Sequence, residues 1–101
     1  MRIEWTEPAL DDLTGIQAYI AKDSPLYARQ FIERIFDAAE GLADHPDRGR
    51  KVPEAEGRED IRELILQGYR IIYWRQADQA AILAVIHGSR DLANMDKPWV
   101  G

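Results

Sequence analysis

Apolar and polar residues alternate at the start of the chain. Ile3 and Trp5 lie on one face and Arg2 and Glu4 on the other, which predicts a short half-buried strand over residues 2–6. Thr6-Glu7-Pro8 then supplies a capping hydroxyl, an acid for the first turn and a proline where no N–H is missed. Ala9, Leu13, Ile16 and Ile20 follow at spacings of four, three and four, one helical stripe flanked by Leu10 and Tyr19. Gly15 interrupts this helix at a cost of about 1 kcal/mol relative to alanine, and close packing of a neighbour is the expected reason. Asp23-Ser24-Pro25 ends the helix and caps a second one, whose stripe of Ala28, Phe31, Ile32, Ile35, Phe36, Ala39 and Leu42 is wider. So short a connection makes the two helices an antiparallel hairpin.

Residues 45–59 mix Pro46, Gly49, Pro53 and Gly57 with many charges and are expected to be irregular. The apolar period then shortens to that of strands. Residues 61–66, 69–75 and 81–86 form a predicted antiparallel meander, turned at Gln67-Gly68 and around Asp78. The last of these is apolar on both faces, as suits a central, covered strand. The predicted fold is therefore α+β: an N-terminal strand, a helical hairpin and a three-stranded meander, with the hairpin on one face and the other face partly open.

The chain of 101 residues carries a net charge of −5 and has a sequence pI near 4.9. One domain is expected, and the acidic balance argues against general affinity for nucleic acid. No apolar run reaches the roughly 18–20 residues that a membrane span requires. The start, Met1-Arg2-Ile3-Glu4-Trp5, lacks the apolar stretch of a secretory signal. Cysteine is absent, so disulfides and thiolate zinc sites are excluded, and two histidines make any metal site a poor expectation. A cytoplasmic protein without cofactor follows.

An ordered set of residues carries a family likeness. It runs through Trp5, Ala9-Leu10-Asp11-Asp12-Leu13, Tyr19-Ile20, Asp23-Ser24-Pro25, Gly49-Arg50 and Val52-Pro53-Glu54. It continues with Ile61-Arg62-Glu63-Leu64, Tyr69-Arg70-Ile71-Ile72-Tyr73 and Val85-Ile86-His87-Gly88-Ser89-Arg90. From about residue 2 to residue 92 the chain resembles the ParE/RelE toxins, and the ParE branch in particular. The resemblance implies a cytoplasmic toxin of a type II toxin–antitoxin pair, silenced by the C-terminal segment of a ParD-like antitoxin. The ParE branch poisons DNA gyrase, whereas the RelE branch cuts messenger RNA on the ribosome. The fold does not choose between them.

Cutting RNA needs a general base, a general acid and a cation for the developing phosphorane charge. His87, Arg90 and Arg62 are the candidates for those parts. Set against them, Lys51 is the only lysine between Lys22 and Lys97, and Glu59, Asp60 and Glu63 offset Arg62. His87 is read first as a hydrogen-bonding partner of the following loop, and Arg90 as pairing with Asp91. The expected function is therefore a poison that acts by binding DNA gyrase, with no catalytic residue and no sequence-specific DNA contact by the toxin alone. The alternatives are a ribosome-dependent endoribonuclease and a non-toxic member that keeps antitoxin binding. Leu26, Tyr27, Phe31, Ile35, Phe36 and Leu42 exceed what one buried stripe needs, and are the expected antitoxin contacts.

Overall fold

Thr6 decides where the first strand stops and the first helix begins. In the computed structural model, which describes residues 1–100, strand β1 spans Arg2–Trp5 and helix α1 spans Glu7–Ala21. The Thr6 hydroxyl accepts from the Ala9 N–H at 3.4 Å and donates to the Ile82 carbonyl at 2.7 Å. One side chain thereby caps the helix and ties its start to a strand far along the chain. Ser24 caps helix α2, Pro25–Glu40, accepting from the Tyr27 N–H at 3.1 Å. Only residues 22–24 separate the helices, so they fold back on each other as a hairpin.

The meander is present: β3 at Ile61–Leu66, β4 at Tyr69–Arg75 and β5 at Gln79–His87, all antiparallel neighbours. A two-residue strand, β2 at Arg50–Lys51, lies inside the segment expected to be irregular. The sheet order is β1-β5-β4-β3-β2, and β1 pairs parallel to β5, making β5 an interior strand. At the β3–β4 turn, Gln67 (φ 48°) and Gly68 (φ 86°) both take positive φ, the geometry that suits the strand twist of a tight hairpin. Gln67 is held in that uncommon conformation by its side chain, which accepts from Arg34 at 3.0 Å and donates to the Tyr27 hydroxyl at 3.2 Å.

Two cores result, one on each face of the sheet. The larger lies under the hairpin and contains Leu13, Phe31, Ile35, Leu42, Ile71, Tyr73 and Ile82. The second, on the opposite face, joins Ile61, Ile72, Ala84 and Ile86 to Val52 and Ala55 of the preceding loop and Leu92 of the tail. That face was expected to be partly open. Residues 52–55 and the tail instead cover it, with Met95 and Trp99 packed at its margin. The expected reason for Gly15 also fails, because a Cβ there would meet no atom within 4 Å.

Candidate functional site

Period-two alternation along β3 and β4 sends Glu63 and Arg70 to the second face, where an arginine and a glutamate could not remain unpaired. Arg70 Nε donates to Glu63 at 2.5 Å, and its two terminal nitrogens donate to Glu54 at 2.7 and 3.1 Å. Arg50 closes the cluster at 2.8 Å from the other Glu63 oxygen. The Glu54 hydrogen bonds, with Glu63 adding to them, hold the Arg70 guanidinium charged well above its ordinary range. Glu54 is held below the usual carboxylate range by the same hydrogen bonds. No lone cation faces outward here.

Arg62 turns toward the other face. It donates to the Gly49 carbonyl at 2.9 Å, and Asp47 lies 3.7 Å from its Nε. Beside it the buried Tyr73 hydroxyl accepts from the Gly49 N–H at 3.0 Å and donates to the Pro46 carbonyl at 2.8 Å. These contacts pull residues 46–51 onto the sheet and create β2. Within the segment expected to be irregular, residues 50–51 are thus a built edge, where Lys51 pairs with Glu59 at 2.9 Å.

His87 and Arg90 sit elsewhere. His87 opposes Tyr69 in the ladder, and Tyr69 opposes Leu66, while Arg62 opposes Tyr73 at the other end of the strands. Four residues along the strand and two strands across place Arg62 and His87 roughly 16 Å apart. The three residues nominated for RNA cleavage therefore do not converge. His87 accepts from the Ser89 N–H at 3.1 Å through Nδ1, the loop contact expected for it. The expected Arg90–Asp91 ion pair is absent among the described residues, where Asp91 takes a hydrogen bond from Asn94 instead. Among the described residues no group of three or more His, Cys, Asp and Glu side chains is arranged to hold a metal.

The nominated partner residues divide by burial. Phe31, Ile35 and Leu42 are buried in the main core, which corrects their reading as surface contacts. The physical reason is that α2 turns this stripe inward, where it joins Leu13 of α1 and Ile71, Tyr73 and Ile82 of the sheet in one cluster. Phe36 is half-buried against Trp5, with ring centroids 4.8 Å apart. Leu26 and Tyr27 remain 60 % and 42 % exposed at the hairpin tip, beside Tyr19 at 70 %. Tyr19 was noted only as a flank of the α1 stripe, yet it is the most exposed aromatic of the hairpin. Below this tip, Tyr19, Tyr27, Phe31, Gln67, Tyr69 and His87 bound a cleft of about 640 Å³, with Arg90 at its rim.

Residues 3–92 match the family described as ParE toxin of type II toxin-antitoxin system, parDE. The chain belongs to this family. The ParE match covers every buried residue of both cores and the sheet from Ile3 onward. Toxin RelE2 of Caulobacter vibrioides is 36 % identical over 90 residues, which are 88 % of this chain and 97 % of that protein. Putative toxin Y4kP of Sinorhizobium fredii is 41 % identical over 88 residues, 85 % of this chain and 86 % of that one. The fold is also that of a chain in the chromosomal ParDE toxin–antitoxin system from P. aeruginosa, with a TM-score of 0.70 at 21 % identity, over 86 % of this chain and 95 % of the other. No helix among the described residues is long and apolar enough to cross a membrane.

Proposed function

We propose that this ParE-family toxin acts by binding its target, DNA gyrase, rather than by cutting RNA, and that a ParD-like antitoxin silences it. What supports this over a nuclease is the separation of Arg62 from His87 and Arg90, added to the carboxylates that neutralise Arg50 and Arg70. A phosphorane charge needs an uncommitted cation beside a proton donor and acceptor, in one place. The exposed hairpin tip, with Leu26 and Tyr27, is the surface offered to the antitoxin, because apolar area of this kind on a small protein marks a partner site.

A ribonuclease reading keeps one observation in its favour: His87 and Arg90 do share a cleft with Tyr69. Both readings are separated in cells by inducing the toxin without antitoxin and following labelled thymidine and labelled methionine over the first minutes. The gyrase reading expects DNA synthesis to fall while translation continues. Early collapse of translation overturns it in favour of the nuclease. If both continue, the chain is a non-toxic member.

A further inference from the structure

Strand β5 ends at His87, and the chain then turns sharply. The Gly88 N–H donates to the Gly68 carbonyl at 2.7 Å and the Arg90 N–H to the His87 carbonyl at 3.0 Å, which fixes the turn. Inside it, Ser89 Oγ lies 2.6 Å from His87 Nδ1. The Ser89 N–H donates to the same nitrogen at 3.1 Å. A backbone N–H can only donate, so Nδ1 carries a lone pair and no proton. The hydroxyl proton is therefore directed at Nδ1 as well. The Tyr69 ring orients the imidazole further, meeting it edge-on with centroids 5.1 Å apart. A serine hydroxyl within hydrogen-bond reach of a held, unprotonated imidazole has the arrangement of an activated nucleophile.

Ser89 is exposed and lines the cleft beneath the hairpin tip, where Arg90 is the one charged residue. Arg90 enters no ion pair among the described residues. Asp12, whose carboxyl feels the Arg90 charge from the adjoining groove, is engaged by the Val85 N–H at 3.0 Å. A guanidinium free beside a nucleophile favours a substrate with an anionic group next to the atom attacked. Phosphoryl transfer spreads charge over several oxygens, for which one cation is too few, whereas an attacked carbonyl gathers charge on a single oxygen.

The geometry points to Ser89 as a nucleophile that takes the acyl group of an acyl phosphate. Ser89 Oγ bonds to the carbonyl carbon, and its proton passes to His87 Nδ1. Once protonated, Nδ1 no longer accepts, and the Ser89 N–H it releases becomes a donor for the carbonyl oxygen. The bond from the carbonyl carbon to the phosphate oxygen then breaks. Inorganic phosphate leaves beside Arg90 and carries the His87 proton away, and an ester remains on Ser89. This site goes beyond the toxin reading and does not rest on it.

The test is incubation of the folded protein with acetyl phosphate, with its peptides weighed by mass spectrometry before and after hydroxylamine. Hydroxylamine strips an ester from serine and leaves lysine amides in place. Ser24, the one other serine, caps α2 through the Tyr27 N–H and is the internal reference. Wild type should form a hydroxylamine-labile acetyl on Ser89 at least tenfold faster than on Ser24. His87→Gln should slow that reaction at least tenfold with an unchanged melting curve. Arg90→Met should slow transfer from acetyl phosphate several-fold and leave transfer from p-nitrophenyl acetate, which bears no phosphate, unchanged. No ester on wild-type Ser89, or the wild-type rate in His87→Gln, overturns the inference. Both donors responding alike to Arg90→Met overturns the acyl phosphate as the substrate class. If His87→Gln melts lower, the ratio of Ser89 to Ser24 in wild type decides.

Discussion

The wholly buried Glu63 side chain lies 2.5 Å from Arg70 Nε, a charged contact sealed inside a 101-residue protein. Either charge without the other is strongly disfavoured there. Glu63→Ala is therefore expected to cost about 3–5 kcal/mol, read as a fall in the urea midpoint. Replacing both partners, Glu63→Leu with Arg70→Met, should recover much of that loss, because no buried charge is then left unpaired. A double variant no better than the single one would show that the wider cluster, with Arg50 and Glu54, acts as a unit.

The same cluster sets an acid limit. Hydrogen bonds from Arg70 hold the folded Glu54 pKa below its ordinary value of 4.5. Between the two values the unfolded chain binds more protons, so stability rises with pH across that interval. The contribution is fully present above pH 4.5 and is lost as the pH falls through the folded value. Asp60, lowered by its hydrogen bond from Arg58, behaves alike, whereas Asp12, raised by burial, has the opposite slope. Glu54→Gln should flatten the acid limb of the urea midpoint plotted between about pH 3 and pH 6.

Tyr73→Phe leaves the Gly49 N–H without its acceptor, and a buried orphan donor costs about 1–3 kcal/mol. Gly49→Ala attacks the same point sterically, since its Cβ would lie 2.7 Å from the Glu63 carbonyl and from the Tyr73 ring. Both should loosen residues 46–51, seen as faster amide exchange there than in β4.

His87→Ala and Arg90→Ala should leave arrest of DNA synthesis intact within about twofold on the gyrase reading, a shift too small to matter against tenfold steps of about 1.4 kcal/mol. Loss of arrest by either variant, with an unchanged melting curve, would move the chemistry to this corner.

The elements were legible in the chain because local signals agreed: Thr6, Ser24 and Gln67-Gly68 mark ends whose geometry is set within a few residues. Strand β2 was not, since its cause is Tyr73 reaching from 24 residues away to hold Gly49. The covered second face was equally hidden. Leu92, Met95 and Trp99 look too sparse to form a layer until the sheet brings Ile72 and Ile86 beneath them. At the surface proposed for the antitoxin, helical spacing could identify apolar residues of α2 but not how deep the helix would sink. Leu26 and Tyr27 stayed exposed while Phe31, Ile35 and Leu42 went under. The contact of His87 with its loop was legible too, though not that the Ser89 hydroxyl shares in it, which depends on how the turn after β5 closes.

The parallel pairing of β1 with β5 has a consequence for how the protein is made. Ile3 waits for Ala80, and both cores need β5, the last strand to leave the ribosome. Contacts across so long a stretch of chain form late in folding. A translation product that stops short of residue 79 lacks the strand that joins β1 to the rest of the sheet. Interrupted synthesis therefore yields fragments with neither core closed, open to proteolysis, rather than a partly working molecule.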